Sequence, residues 1–265
     1  MIKAIRHLFR QPSTRPAPAI PDGERVYAIG DIHGRLDLFA PLVAAIERDD
    51  GTRGDAGTTI VLLGDLIDRG PDSSGVIEAA RSLQARRKVR IITGNHEEMF
   101  LEAIEDIEVL RHFLRFGGSE TVLSYPVDRG AFAVAEIRAA QDLMRAAVPE
   151  TDLAFMRSFE DGIAIGGYFF VHAGVRPGKP ISAQDVQEMR WIREPFLSHR
   201  GDHGFVVVHG HTIVPEPEVF DNRIGIDTGA YMSGRLTALG LEGTQRWLIE
   251  AVEDGGAISI STRPA

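Results

Sequence analysis

Four short glycine-containing segments constrain this fold more than any other feature of the chain. They read GDIHG at residues 30–34, GDLIDRG at 64–70, GNHE at 94–97 and GHT at 210–212. Each follows a run of β-branched and apolar residues that predicts a buried strand, at residues 26–29, 60–63, 89–92 and 205–208. Side chains at strand ends gather along one edge of a sheet, where open α/β folds place their sites.

The remaining sequence alternates helical and strand-like patterns, which favours an α/β (α+β) fold. Helices are predicted at residues 35–48 and at 71–87, where Pro71 suits a first turn. Residues 98–159, hereafter the helical insert, are weakly amphipathic with breaks at 117–118, at 124–130 and at Pro149. A strand at 163–171 leads into His172, and further strands follow at 205–208, 223–226, 236–241 and 245–252. Strands so close in sequence are expected to be antiparallel neighbours, giving a two-sheet core flanked by helices.

Composition narrows the class of protein without naming a function. The 265 residues are 43% hydrophobic and 25% charged, enough for one large domain. A formal net charge of -9 argues against a nucleic-acid partner. The absence of cysteine excludes disulfides and thiolate chemistry, and it fits a reducing compartment, so we expect a cytoplasmic location. The sequence has no apolar run of about 18 residues that would span a membrane.

The N-terminal 24 residues differ from the rest of the chain. Residues 1–10 place apolar and basic side chains at helical spacing, and residues 11–22 contain four prolines. A basic amphipathic helix could make weak contact with a membrane surface or a partner. We favour the plainer interpretation, a tail on an extended proline-rich linker, since one short helix binds weakly. The domain is then expected to span residues 25–265.

The polar residues of the four segments, with His172, have the chemistry of a metal centre. Asp31 and His33 are one residue apart past a strand, so both can face one ion. Asp65 could bridge two ions through its two oxygens, and Asn95 offers an amide oxygen. His172 and His211 could complete the second ion. Two cations about 3.5–4 Å apart would acidify a bridging water and hold a phosphate for in-line attack.

The segments GDIHGR, GDLIDRGPDS, GNHE, VHAGV and GHT resemble the phosphoprotein phosphatase branch of the calcineurin-like metallophosphoesterases. The resemblance is closest to bacterial and phage serine/threonine protein phosphatases, and it spans residues 25 to about 230. It implies a β-sandwich with helices outside, a dinuclear metal centre and direct hydrolysis without a phosphoenzyme. The helical insert has no counterpart in these motifs.

The resemblance also implies a role for each matching residue. The first metal would be bound by Asp31 and His33, the second by Asn95, His172 and His211, with Asp65 bridging. His96 would be the general acid, Asp68 would orient it, and Arg69 and Asn95 would bind the substrate phosphate. A second phosphate-binding arginine is expected, for which Arg193 is the candidate and Arg190 the reserve. Ile213 stands where the wider superfamily often has another histidine, and His209 is not counted as a ligand.

Three functions remain open from the sequence. The first is a metal-dependent phosphomonoesterase that acts on phosphoserine and phosphothreonine in proteins, using a hydroxide that bridges the metals. The alternative is hydrolysis of symmetric dinucleoside polyphosphates such as diadenosine tetraphosphate, which the same motifs serve. A binding protein that has lost the chemistry is the third, although no expected ligand, acid or arginine is missing. Asp, His and Asn ligands suit manganese, iron or zinc, and resemblance to bacterial members favours manganese.

Overall fold

The first strand, β1 (Glu24–Ile29), turns alternate side chains toward two apolar layers, so its sheet is covered on both faces. In the computed structural model, which describes residues 17–265, Val26 and Ala28 pack in a layer between two sheets. Tyr27 and Ile29 pack against helices on the other side. The described chain is therefore layered as helices, sheet, sheet and helix, as the sequence predicted.

Two sheets contain the eleven strands of the described residues. The first contains β1, β2 (Gly57–Leu62), β3 (Val89–Ile91), β9 (Arg235–Glu242), β10 (Gln245–Asp254) and β11 (Ala257–Pro264), in the order β11-β10-β9-β1-β2-β3. The second contains β4 (Gly162–Ile165), β5 (Tyr168–Val171), β6 (Val206–His209), β7 (Glu218–Val219) and β8 (Arg223–Gly225), in the order β4-β5-β6-β8-β7. Strands β1, β2 and β3 are parallel, so their carboxyl ends share one edge.

Ten α-helices lie in residues 17–265. They are α1 (Leu36–Thr52), α2 (Ser73–Arg86), α3 (Asn95–Ala103), α4 (Ile107–Phe113), α5 (Ser119–Ser124), α6 (Arg129–Val134), α7 (Ile137–Ala147), α8 (Glu150–Arg157), α9 (Val186–Trp191) and α10 (Ala230–Ser233). A π-helical segment (Leu114–Gly118) joins α4 to α5, and a short 3₁₀ turn (Ile181–Ala183) precedes α9. The helical insert thus consists of most of α3 followed by α4 to α8. None of these helices is long and apolar enough to cross a membrane.

The predicted strand at 163–171 is wrong, because this segment is a hairpin. Strands β4 and β5 pair antiparallel across a turn at Gly166 and Gly167. Gly166 has a φ of +55°, and a Cβ at Gly167 would lie 2.9 Å from the Cα of Pro18. The glycine pair, which the pattern of apolar residues hid, is what reverses the chain.

The expectation of antiparallel neighbours is confirmed for β9 and β10 but wrong for β6 and β8. Residues 210–222 between β6 and β8 cross over, so the two strands run parallel. Strand β11 and the short β7 were not predicted. Helix α2 begins at Ser73 with Asp72 as its N-cap, so Pro71 lies before the helix and not in its first turn.

The start of the described chain packs onto the sheets. Ile20 is buried between them, and its N–H donates to the carbonyl of Gly243 at 2.9 Å. The carbonyl of Ala19 accepts from the N–H of Gly167, also at 2.9 Å. The end of the proline-rich stretch is therefore docked on the domain. The predicted amphipathic helix at 1–10 lies outside the described residues.

Candidate metal centre and general acid

The loops at the shared strand edge adopt unusual backbone conformations. In residues 17–265, five non-glycine residues have positive φ angles between 47° and 73°: His33, Asp65, Asp68, Arg69 and His211. Such conformations cost of order 1–3 kcal/mol each and persist only where the surroundings impose them. All five belong to the motifs singled out in the sequence, so the fold holds these loops for a purpose other than stability.

Glu97 fixes the loop that carries Asp65. The fully buried carboxylate accepts hydrogen bonds from the backbone N–H groups of Asp65 (2.9 Å), Leu66 (2.7 Å) and Gly94 (2.9 Å). Gly94 must lack a side chain, because a Cβ there would lie 2.1 Å from Oδ1 of Asp65. The sequence motif contained Glu97 but gave it no role; the structure shows that it shapes the site.

One group of potential ligand atoms lies at the end of β1 and β2. The ligand atoms of His33, Asp65 and His96 lie within 4.8 Å of one another, and all three residues are buried. His33 Nδ1 is 2.8 Å from the carbonyl of Ile67, which can only accept, so Nδ1 carries the proton and Nε2 presents a lone pair. Burial lowers the pKa of His33 to about 3, so the ring is neutral, as a metal ligand must be.

A second group joins the two sheets. The ligand atoms of Asp65, His172 and His211 also lie within 4.8 Å of one another. Nδ1 of His172 donates to the carbonyl of Leu63 at 2.8 Å, and burial lowers the pKa of the ring, so the ring is neutral. Its Nε2 therefore carries a lone pair and lies 3.0 Å from Oδ1 of Asn95. His211 places Nδ1 2.8 Å from the same oxygen. Lone pairs that converge in this way are stabilised by a cation between them.

Asp31 faces a buried carboxylate that the sequence analysis missed. Asp31 accepts the backbone N–H of His211 at 3.0 Å. Burial raises its pKa well above the usual range, and the charges of Asp227 and Asp65 raise it further. Burial likewise raises the pKa of Asp227 to about 6. Asp227 follows the predicted strand at 223–226, so the strand-end argument that found Asp31 would also have found it.

The donor set fits two divalent cations. Asp65 belongs to both groups of ligand atoms, as a bridging carboxylate would. Buried carboxylates that repel one another and neutral imidazoles with free nitrogens are both stabilised by positive charge. Four of the six predicted metal ligands belong to the two groups: His33, Asp65, His172 and His211. Oδ1 of Asn95 lies beside both His172 and His211, and Asp31 lies beside the backbone of His211.

His96, which belongs to the first group by distance, forms a buried pair with Asp68. Nδ1 of His96 donates to Oδ2 of Asp68 at 2.5 Å. Burial lowers the pKa of His96, but the carboxylates of Asp65 and Asp68 outweigh it, so the pKa is raised overall. Oδ1 of Asp68 accepts the hydroxyl of Thr121, a residue of the helical insert, at 2.5 Å.

Arg69 lies over this pair. Its Nη1 donates to Nε2 of His33 and its Nη2 to Nε2 of His96, each at 2.8 Å. Its guanidinium carbon lies 4.8 Å from the centre of the Tyr231 ring. A guanidinium can only donate, so Nε2 of His96 is unprotonated while this contact lasts.

The two arginines considered for the second phosphate contact have different surroundings. Arg190 forms ion pairs with Glu98 at 2.6 Å and with Asp161 at 2.5 Å. Arg193 is exposed, its side chain makes no hydrogen bond or ion pair to residues 17–265, and its charge contributes to the low pKa of His211. These surroundings favour Arg193 over the reserve Arg190. His209 faces away, with Nδ1 3.0 Å from the carbonyl of Gly210 and Nε2 near Arg223.

Comparison with known proteins agrees with this geometry. The family model described as calcineurin-like phosphoesterase matches residues 24–231, and the chain belongs to that family. It is a metallophosphoesterase, as the sequence motifs implied. A relative from Anoxybacillus flavithermus, named bis(5'-nucleosyl)-tetraphosphatase PrpE [asymmetrical], is 28% identical over 235 residues, covering 80% of this chain and 88% of its own.

A second relative and a solved structure extend the comparison. Serine/threonine-protein phosphatase 1 from Salmonella typhimurium is 29% identical over 220 residues, covering 80% of this chain and 89% of its own. The crystal structure of a cold-active protein-tyrosine phosphatase from a Shewanella species has a TM-score of 0.57 at 17% identity, covering 94% of this chain and 82% of that one. At that identity the structural match shows the fold alone.

Proposed function

We propose that this chain is a metal-dependent phosphomonoesterase that removes phosphate from phosphoserine and phosphothreonine in proteins. The pair of His96 and Asp68 carries the proposal. An alkoxide is strongly basic and leaves readily only when a general acid gives it a proton. The phosphate anion released from a dinucleoside polyphosphate is weakly basic and needs that proton far less. A buried imidazole whose pKa is raised by carboxylates is therefore best suited to an alcohol leaving group.

In the proposed mechanism, different residues of the site bind the metals, bind the phosphate and donate the proton. Bound at the two groups of ligand atoms, divalent cations would polarise the phosphate oxygens and acidify a water. Arg69, with Arg193 and Asn95, would bind phosphate oxygens; when Arg69 turns from the imidazoles to the phosphate, Nε2 of His96 becomes free to hold a proton. As the water oxygen bonds to phosphorus and the ester P–O bond breaks, that proton passes to the leaving oxygen. The products are the free alcohol and inorganic phosphate.

Hydrolysis of dinucleoside tetraphosphates is the second candidate. The observation that favours it is the name of the PrpE relative, which is similar to this chain over 235 residues. That name carries the qualifier asymmetrical, whereas the sequence motifs leave open where a symmetric dinucleoside polyphosphate would be cleaved. Symmetric cleavage of diadenosine tetraphosphate gives two ADP, and asymmetric cleavage gives ATP and AMP, so the products identify the mode.

The test compares kcat/KM on a phosphoserine peptide and on diadenosine tetraphosphate, with metal-stripped protein resupplied with manganese. Manganese is our proposed ion, with iron and zinc as further arms. We expect the peptide to be the better substrate, which would direct the search toward phosphoprotein partners in the cytoplasm. Faster turnover of diadenosine tetraphosphate would overturn the proposal in favour of the second candidate.

A further inference from the structure

The helical insert contacts the loop that carries the proposed acid pair. The N–H of Arg69 donates to the carbonyl of Gly117 at 3.0 Å, and a Cβ at Gly117 would lie 2.6 Å from Cγ of Arg69. One turn further on, the side chain of Thr121 reaches Asp68. The π-helical segment therefore contacts Arg69 and helix α5 contacts Asp68, the two residues at the centre of the loop at 64–70.

Thr121 makes three hydrogen bonds inside the protein and is completely buried. Its oxygen is 2.8 Å from the backbone nitrogen of Asp68, 2.5 Å from Oδ1 of Asp68 and 2.9 Å from Oγ of Ser73. A hydroxyl has one proton, and the shortest contact, to the carboxylate, takes it. Thr121 then accepts from the N–H of Asp68 and from the hydroxyl of Ser73. Every hydrogen-bonding direction at Thr121 is thus determined.

This arrangement fixes the rotation of the Asp68 carboxylate. With Oδ1 bound by Thr121, Oδ2 is the oxygen that faces Nδ1 of His96 at 2.5 Å. His96 has no other hydrogen-bond partner at Nδ1 among the described residues. The direction of Nε2, from which a proton would leave, is therefore set through Asp68 by a residue of the insert.

We propose that Thr121 is a positioning residue for the general acid, so that the helical insert is part of the catalytic apparatus. The proposal rests on the proposed role of His96. Without the hydroxyl, the Asp68 carboxylate can rotate, and the His96 ring can rotate with it. Nε2 of His96 is then no longer held in position to donate a proton to the leaving oxygen. The loss should appear only where proton donation limits the reaction, that is, for basic leaving groups.

The experiment compares two small substrates that differ in leaving group, phenyl phosphate and p-nitrophenyl phosphate. The phenolate of the first is more basic and depends more on the acid. Thr121→Val, which keeps the shape and removes the hydroxyl, should lower kcat on phenyl phosphate about tenfold or more and kcat on p-nitrophenyl phosphate by less than about threefold. Thr121→Ser, which restores the hydroxyl, should recover most of the loss, with KM little changed throughout.

The matched control is Ser124→Ala in the same helix. Its hydroxyl oxygen accepts from the backbone N–H of Ser74 at 3.0 Å, and its O–H donates to the backbone carbonyl of Thr121 at 2.7 Å. It touches neither Asp68 nor the Thr121 hydroxyl, so its removal should leave the ratio of the two rates unchanged. Thr121→Ala provides a second test of the ratio if the valine variant does not fold. Equal losses on both substrates, or no loss on either, would overturn the positioning role. Wild-type protein that hydrolyses neither ester in manganese would instead overturn the proposed function.

Discussion

The two ends of strand β1 differ in how their buried charges are paired: opposite charges meet at one end, and like charges lie close together at the other. At its start, Arg25 is 1% exposed and bonds to Asp50 at 2.7 Å and to Glu242 at 2.9 Å. Its remaining N–H groups reach the carbonyls of residues 50, 53 and 54. At the other end of β1, Asp31 lies close to further buried carboxylates. We call these the paired end and the metal end of the sheet.

The pKa values show what this difference means. Burial raises the pKa of Asp50, but hydrogen bonds from Thr58 and Arg87, among others, lower it overall. At the metal end the pKa of Asp31 is raised. A lowered carboxylate pKa adds stability at neutral pH, and a raised one removes it. The paired end therefore stabilises the fold, whereas Asp31 and Asp227 at the metal end, whose pKa values are raised, lower its stability at neutral pH.

The largest effect is expected at the metal end, on catalysis. His96→Ala should lower kcat on a phosphoserine peptide by about 10²–10⁴, because the leaving alkoxide would lose its proton donor. The stability gained on adding manganese should be largely retained, because His96 is not one of the six predicted ligands and the other two members of the first group, His33 and Asp65, remain. Rate measurements with a thermal melt check both. His112→Ala, at an exposed imidazole, is the control, and an unchanged rate for His96→Ala would remove its role as acid.

The next effect is expected at the paired end, on stability alone. Arg25→Met should lower the free energy of unfolding by about 2–3 kcal/mol, because Asp50 and Glu242 lose a buried partner while remaining partly exposed to water. Urea unfolding measures the loss, and Arg48→Met, an exposed arginine of the same region, is the matched control. The kcat of the folded variant should not change. A large fall in kcat would show that the two ends are coupled and not independent.

The smallest effect is expected for Asp31→Asn in metal-free protein. Here the sign of the change in the free energy of unfolding is more informative than its size. Removal of one of several repelling carboxylates should raise the free energy of unfolding by about 1 kcal/mol. The gain should shrink as the pH falls through the raised pKa of Asp31, because native wild-type Asp31 then takes up a proton and the repulsion disappears.

Added manganese distinguishes relief of carboxylate repulsion from a general stabilisation of the fold by the Asp31→Asn substitution. Added manganese should stabilise the wild type more than the Asp31→Asn variant, which lacks a ligand, so the order of stability should reverse. Melts with and without the ion measure this, with the exposed Asp55→Asn as control. If Asp31→Asn is less stable than the wild type without metal, the buried carboxylates at the metal end do not destabilise the metal-free protein by mutual repulsion, contrary to our expectation.

The sequence predicted the metal end far better than it predicted the connections of the second sheet. Predicted ligands such as Asp31 and Asp65 follow apolar runs after a single glycine, so local pattern and strand direction together place them at one edge. The hairpin at Gly166 and the parallel pairing of β6 with β8 depend on where the chain reverses and crosses. Apolar runs do not contain that information, because buried strands look alike whichever neighbour they pair with.

The sequence by itself determined the metal-ligand chemistry, the strand ends that carry it and the fold family, because each of these depends on residues close together in the chain. Only the tertiary structure decided which groups meet across the chain: Glu97 beneath Asp65, Asp227 beside Asp31 and Thr121 behind Asp68. Thr121 is 53 residues from Asp68 in the chain, and no local pattern marks a buried threonine in a helix as a partner for a carboxylate. Their hydrogen bond exists only because the insert folds back onto the strand edge.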